Sequence, residues 1–336
     1  MKKYIEFARL IRPYGMLYLG LTPVYGAICN GMFNFFHLSI LFIIGVLSHV
    51  FTFVQNDIFD ISVDKKSVYV SKRPLITGSI SKKEAVYIVV FSFLLSIILA
   101  SIFVLTFYSF IFLLLSFLFV SIYNKYSKRF SFMEYILALG IFTYGLFGVF
   151  SVSSSISTLA LIVCFFSAIQ WLFSVGVFAN LKDVEYDTKI GIKTTPTKLG
   201  VKIVDGKLFL STIFKVYASL IKILHIFIAF CPFLLGLTSI YVNSFPIPLI
   251  IFLIISIIIF FLLRRILTTP LSKRDNMLIY EGLQEGLAFL LIPTVLLSFL
   301  IDKIGVLQTF LLFFFMIVWP LGCFRLLFGK KMIPLE

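Results

Sequence analysis

The sequence predicts an all-α protein: a polytopic transmembrane helical bundle of nine to ten spans around a central cavity, formed by a single domain over residues 1–336. Two observations carry the membrane assignment, and a third orders the spans. Hydrophobic residues make up 60% of the 336 and charged residues only 13%, with a mean hydropathy of +1.09; a soluble chain carries about 25% charged residues. Apolar runs recur at the length needed to cross roughly 30 Å of hydrocarbon, about 20 residues each. Basic residues collect in every second connection.

In chain order the runs fall at 14–30, 38–56, 85–105, 107–123, 134–152, 158–180, 209–238, 246–263, 279–300 and 304–326. The connections near 106, 153–157, 239–245 and 301–303 are short and carry little basic charge. The first run is span-length and has no small-residue cleavage pattern, so no removable signal peptide is expected. Before it stand Lys2, Lys3, Arg9 and Arg12; after the second come Lys65, Lys66, Lys72, Arg73, Lys82 and Lys83. Lys125, Lys128 and Arg129 follow the fourth run, and Lys182, Lys189, Lys193, Lys198 and Lys202 the sixth. Arg264, Arg265, Lys273 and Arg274 follow the eighth, and Lys330 and Lys331 close the chain. The positive-inside rule then places these connections and the N-terminus in the cytoplasm, for a protein integral to the cell membrane. More than half of the basic residues behind the formal charge of +14 are accounted for by topology and attraction to anionic lipid, and no nucleic-acid partner is expected. Cys29, Cys164, Cys231 and Cys323 are isolated in apolar runs without metal-ligand spacing, which predicts packing roles.

Acidic residues are scarce and clustered. The second run ends in Asn56-Asp57-Ile58-Phe59-Asp60-Ile61-Ser62-Val63-Asp64, whose aspartates fall at i, i+3 and i+7 on one helical face. The sixth ends in Asn180-Leu181-Lys182-Asp183-Val184-Glu185-Tyr186-Asp187, with Asp183 and Asp187 at helical spacing. An ionised carboxylate at the bilayer centre costs about 2.5–3.5 kcal/mol, so these five unpaired there would cost roughly 12–18 kcal/mol. They are therefore expected in a wet, cation-filled site near the membrane surface. Magnesium takes hard oxygen ligands, one or two carboxylates completed by phosphate oxygens and water. Two such clusters can hold magnesium bridged by a diphosphate, with Lys72, Arg73, Lys128, Arg129, Lys182 and Lys193 available to balance phosphate charge. The expected chemistry is ionisation of an allylic diphosphate, alkylation of a nucleophile and loss of a proton.

Arg73-Pro74-Leu75 with Gly78-x-Ile80-Ser81 after the first cluster, and Gly191-Ile192-Lys193-Thr194 after the second, resemble the two signatures of the UbiA superfamily of membrane prenyltransferases. Arg12-Pro13 and Tyr126-x-Lys128-Arg129 are similar to its pattern as well. The detailed likeness runs from about Arg9 to about Gly200. It implies a bundle, commonly of nine spans, whose cavity opens to the cytoplasm and to lipid. It also implies Mg2+ held by Asp57, Asp60, Asp64, Asp183 and Asp187, with diphosphate contacts from Asn56, Lys72, Arg73, Lys128, Arg129, Asn180 and Lys193. The run 304–326 is the departure, an added span or part of a longer hairpin. Asp183-Val-Glu-x-Asp187 and Thr77-Gly-x-Ile-Ser81 resemble the part of the superfamily with digeranylgeranylglyceryl phosphate synthases and homogentisate and chlorophyll prenyltransferases; Gly191-Ile-Lys-Thr is similar to 4-hydroxybenzoate enzymes. The expected partners are thus an isoprenyl diphosphate donor and an aromatic quinone or chlorin precursor, or geranylgeranylglyceryl phosphate, as acceptor.

Other polar positions read differently. Glu185 faces away from Asp183 and Asp187 on a helix. His49, on the face of Asn56 but deeper, is expected to be an ordinary hydrogen-bonded histidine. Gln170 and Ser174 are candidate acceptor contacts, while Tyr280, Glu281, Gln284 and Glu285 enter the ninth run with no assigned role. A cation-coupled transporter is the alternative from another class, since it too uses intramembrane carboxylates. Transporters place these near the midplane, whereas both clusters here end spans beside basic loops, which favours an enzyme.

Overall fold

The computed structural model describes residues 2–67, 70–104, 106–204, 207–270 and 274–331, so Lys273 of the basic connections lies outside the described residues. Helices follow one another as α1 (Lys2–Ile11), α2 (Pro13–Cys29), α3 (Phe35–Asp64), α4 (Pro74–Thr77), α5 (Lys82–Phe103), α6 (Phe107–Tyr126), α7 (Glu134–Phe150) and α8 (Thr158–Phe173). A π-helical turn, Ser174–Ala179, leads into α9 (Asn180–Lys189), then α10 (Thr195–Lys198). A short antiparallel hairpin of β1 (Lys202–Val204) and β2 (Lys207–Phe209) pairs Lys202 with Phe209. Helices α11 (Thr212–Leu234), α12 (Ile247–Ile266), α13 (Arg274–Val295), α14 (Leu297–Ile304) and α15 (Val306–Phe328) complete the chain, with a 3-10 turn at Gly329–Lys331.

Among the described residues eight helical segments are long and apolar enough to cross a membrane, and the π turn lies within one of them, Thr158–Lys189. The first and fifth apolar runs form the 17-residue helices α2 and α7. The last run, left open by the sequence, is the unbroken α15. The run expected from 209 begins later: residues 207–209 are strand, and Ser211 caps α11 by accepting from the Phe214 N–H at 3.0 Å.

The chain divides into two compact units. The first comprises Met1–Tyr126, Leu139–Ala160 and Met316–Glu336. Within it α3 packs against α2, α5 and α6. The α2–α3 crossing is close because two glycines meet: a Cβ on Gly45 would stand 2.5 Å from the Gly20 Cα. Small residues at such crossings let backbones approach where no hydrophobic effect drives helices together in lipid. Asn34 caps α3, accepting from the His37 N–H at 2.9 Å, and Ser81 with Glu84 forms a capping box on α5. Leu10, Met16, Val50, Val54, Leu75, Ile80 and Ala85 form a core beneath the first acidic cluster's helix end. Outward, α5 exposes Phe91, Leu94, Ile98 and Ile102, a face suited to lipid. Trp319 of α15 donates to the Pro13 carbonyl at 2.7 Å, which joins the end of the chain to the start of α2.

The second unit comprises Ser127–Ala138 and Leu161–Phe315. Here α12 packs along α13, and α11 along α13. Ser298 clasps the connection after α11: it accepts from the Ser239 N–H at 3.1 Å and donates to the Ser239 carbonyl at 2.9 Å. Cys29 and Cys164 are buried as expected of packing residues; Cys231 and Cys323 are only half-buried, and none of the four forms a disulfide.

Candidate active site

The first acidic motif is the last two turns of α3. Asp57, Asp60 and Asp64 are 4%, 6% and 7% exposed, so the i, i+3, i+7 spacing does place them together on an inward face. Two arginines come to them from outside the helix. Arg73 sets Nη1 at 2.7 Å from Asp64 Oδ2 and 3.3 Å from Asp57 Oδ1. Its backbone is extended, as the following proline requires, and Pro74 then opens α4. Arg12 sets Nη2 at 2.6 Å from Asp57 Oδ1. It occupies the joint between α1 and α2 in the left-handed region, φ 49°, and its guanidinium lies 5.2 Å from the Phe53 ring centroid. Arg12 drew no ligand role from the sequence; the Arg12-Pro13 pair was the only signal, and its partner lies 45 residues away. Asn56 is half-buried and Lys72 exposed.

Near the motif, Asn124 of α6 donates to Gln55 Oε1 at 2.9 Å and to the Thr52 carbonyl at 3.0 Å, fixing α6 against this end of α3. His49 is fully buried, its Nε2 3.1 Å from the Ile11 carbonyl and 3.0 Å from that of Arg12. The ordinary reading of this histidine therefore holds, and its structural contribution is to brace the Arg12 joint.

The second motif is α9. Asp187 is fully buried, Asp183, Lys182 and Asn180 are half-buried, and Lys128 Nζ lies 3.6 Å from Asp187 Oδ1. Arg129 and Lys193 are exposed. The loop after α9 is tied to the segment bearing Lys128: Ser131 donates to the Lys193 carbonyl at 2.8 Å and the Phe132 N–H to Thr195 Oγ1 at 2.9 Å. Glu185 pairs with Lys189 at 2.8 Å, one turn farther along α9. Gln170 and Ser174 are buried and bonded to each other at 3.0 Å, and Lys222 Nζ donates to Gln170 Oε1 at 2.8 Å. Gln284 is fully buried.

Among the described residues no three or more His, Cys, Asp or Glu side chains converge on one ion position. Magnesium keeps waters and completes its shell with phosphate oxygens rather than an all-protein cage. The donor set fits the ion: each motif offers hard carboxylate oxygens, and the adjacent guanidinium and ammonium groups match phosphate.

Span-length apolar helices, two of which end in buried aspartates paired with arginine or lysine side chains, are those of an integral membrane protein. The UbiA prenyltransferase family model matches residues 19–280, and the chain belongs to that family: it is a prenyltransferase. The 4-hydroxybenzoate octaprenyltransferase of Francisella tularensis subsp. novicida (strain U112) is 28% identical over 208 residues, 60% of this chain and 71% of the relative. That of Blochmanniella floridana is 30% identical over 222 residues, 64% and 76% of the two chains. Among solved structures, the apo UbiA homolog of Aeropyrum pernix K1 superposes with a TM-score of 0.66 at 13% identity, covering 85% of this chain and 98% of its own. A digeranylgeranylglyceryl phosphate synthase structure gives 0.60 at 21% identity, covering 91% and 100%. The Archaeoglobus fulgidus UbiA homolog bound to GPP and Mg2+ gives 0.59 at 17% identity, covering 85% and 99%. At these identities the structural likeness shows the fold.

Proposed function

We propose that this prenyltransferase carries out Mg2+-dependent transfer of a polyprenyl group from an isoprenyl diphosphate to a membrane-associated acceptor. The observation that supports it most is the burial of Asp57, Asp60 and Asp64 on one helical face, with Arg73 bonded to two of them. Carboxylates neutralised only by side chains would gain little from such an arrangement, because desolvation offsets much of the attraction. A metal–diphosphate ligand makes use of both the carboxylates and the guanidinium groups. The A. fulgidus homolog's binding of GPP and Mg2+ points the same way.

Asp57, Asp60, Asp64, Asp183 and Asp187 would hold Mg2+, which supplies charge neutralisation of the leaving diphosphate. Asn56, Lys72, Arg73, Lys128, Arg129, Asn180 and Lys193 would contact the diphosphate oxygens. Arg73 is the strongest of these, since its planar donors can release one carboxylate and take up a phosphate oxygen in the same plane. The apolar spans would bury the prenyl chain and exclude water, so that the allylic cation meets the acceptor rather than a water molecule. Both motifs would lie on the cytoplasmic side, where the basic connections put them.

For the acceptor, the curated relatives' names favour an aromatic acid of the 4-hydroxybenzoate type. Geranylgeranylglyceryl phosphate is the second reading, favoured by the Asp183-Val-Glu-x-Asp187 pattern and the fold of the digeranylgeranylglyceryl phosphate synthase. The test is product formation by purified protein in liposomes with geranylgeranyl diphosphate, Mg2+ and either acceptor. Product with one of them, lost in Asp57→Asn and in EDTA, supports the reading and names the acceptor. Donor binding unaffected by Mg2+ removal and by Asp57→Asn, with no product from any acceptor, would overturn it.

A further inference from the structure

The helix that carries the second acidic motif is not regular. The Asn180 N–H reaches the Val175 carbonyl, five residues back, and Ser174–Ala179 is π-helical. A π turn accommodates one extra residue, so α9 is rotated by about 100° from where an unbroken α-helix would put it. Leu181, Val184 and Asp187 become the buried face as a result. Such turns have poorer backbone geometry, and in a membrane segment they persist only where surrounding groups hold them.

Buried polar groups hold this one from two sides, all within the second unit. On one side is Glu134, 3% exposed at the start of α7. A Cβ on Gly176, in the middle of the turn, would stand 2.9 Å from the Glu134 Cγ, so the glutamate rests directly on bare backbone. The Thr195 side chain, at the start of α10, lies beside the same carboxyl, and the Tyr217 hydroxyl approaches it at 3.5 Å. Glu134 thus ties together the turn, the end of the motif loop and α11. On the other side is Lys222, fully buried in α11 with Nζ 3.7 Å from the Phe173 ring centroid. Its bond to Gln170 continues to Ser174, the first residue of the turn, and the carboxyl of Glu285 on α13 lies beside that serine. A lysine ammonium inside a span costs several kcal/mol on most scales, so its retention needs a use.

We infer that the π turn sets the aim of Asp183 and Asp187, and that Glu134 and Lys222 are positioning residues that lock it. This rests on the magnesium–diphosphate reading of the motif. Neither residue is required to touch substrate; each acts through the turn, as outer-shell partners orient ligands elsewhere.

The test is equilibrium binding of geranylgeranyl diphosphate across a Mg2+ titration, without acceptor, on detergent-purified protein that is monodisperse and of known thermal midpoint. Glu134→Ala and Lys222→Met should each raise the Mg2+ concentration for half-saturation about tenfold or more, the usual effect of losing an outer-shell partner. Glu134→Gln, which keeps the shape and one acceptor oxygen, should stay within about threefold of wild type on the same scale. A purely structural role would lower the thermal midpoint while leaving the Mg2+ dependence of the folded fraction alone. If either strong variant fails to fold, Ser174→Ala, which removes one hydroxyl from the network, decides the matter. Wild-type Mg2+ dependence in folded Glu134→Ala and Lys222→Met, or in Ser174→Ala where that substitutes, overturns the inference. If the wild-type protein itself shows no Mg2+-dependent binding, and Asp183→Asn changes nothing, the magnesium–diphosphate reading falls and this inference with it.

Discussion

Arg73 Nη1 stands 2.7 Å from Asp64 Oδ2 and closes the first acidic motif from a point nine residues farther along the chain. The contact exists because Pro74 forces Arg73 into extended backbone while α3 ends at Asp64, so the chain doubles back over its own last turn. A guanidinium so placed can exchange a carboxylate for a phosphate oxygen with little movement. Arg73→Ala should therefore raise the donor KM by about 10- to 100-fold, the equivalent of one charge-assisted hydrogen bond. Arg73→Lys should recover only part of this, because an ammonium lacks the planar fork. Steady-state kinetics at saturating Mg2+ checks it; an unchanged donor KM in both variants would remove Arg73 from the diphosphate site.

Arg12 makes a different prediction. Its side chain is 13% exposed and its partner Asp57 only 4%. Removing the cation leaves a buried carboxylate with one arginine instead of two, and breaking a buried pair costs about 3–5 kcal/mol when no other partner remains. With Arg73 still 3.3 Å from Asp57, Arg12→Met should cost less, on the order of 1–3 kcal/mol. Arg12→Met/Asp57→Asn should be more stable than Arg12→Met alone, since the orphaned charge has gone. Thermal midpoints in detergent measure both. If the double variant falls by the sum of the singles, the ion pair is not what couples them.

What the sequence revealed and what it hid follow one physical line. Apolar runs and the spacing of Asp57, Asp60 and Asp64 are local, periodic signals, and the helices follow them. Arg12 and Lys222 were hidden because each acts through a partner brought near only by folding: Asp57 is 45 residues from Arg12, and Gln170 52 from Lys222. The π turn was hidden for another reason. Ser174–Ala179 has no proline or charge to mark it, and its register is set by Glu134 and the Gln170 network rather than by its own residues. The β-hairpin at 202–209 is short and lies beside an apolar run, so the hydropathy of Phe209 blends into the span that follows it.

The second motif supplies the metal prediction. Asp187 is fully buried, with Lys128 Nζ at 3.6 Å from Oδ1. Chelation of divalent ions by EDTA should abolish prenyl transfer, and added Mg2+ should restore it. Asp187→Asn keeps the shape and removes the charge, so it should lose at least about 100-fold in activity, as removal of one preorganised electrostatic group does elsewhere. Lys128→Gln should raise the donor KM and leave the Mg2+ requirement in place. Activity in EDTA equal to that in Mg2+ would show that the aspartates serve some other purpose.

Two glycines, one crowded and one in open space, test the packing account of α3, the helix that delivers the first motif. A Cβ on Gly45 would lie 2.5 Å from the Gly20 Cα and 2.8 Å from its carbonyl oxygen, backbone atoms that cannot rotate away. Gly45→Ala must therefore separate α2 from α3, at a cost of about 1–3 kcal/mol or more for overpacking. Because Arg12 lies at the head of α2 and Asp57 on α3, the same displacement should lengthen the Arg12–Asp57 pair and weaken donor binding as well. Gly282, on the exposed face of α13, would carry a methyl group with nothing within 4 Å of it. Gly282→Ala should be neutral or stabilising by about 0.5–1 kcal/mol, the helix propensity difference alone. Thermal midpoints and donor affinity measured side by side separate the two effects. A Gly45→Ala protein as stable as Gly282→Ala would mean that close α2–α3 packing does not hold the first acidic motif in place.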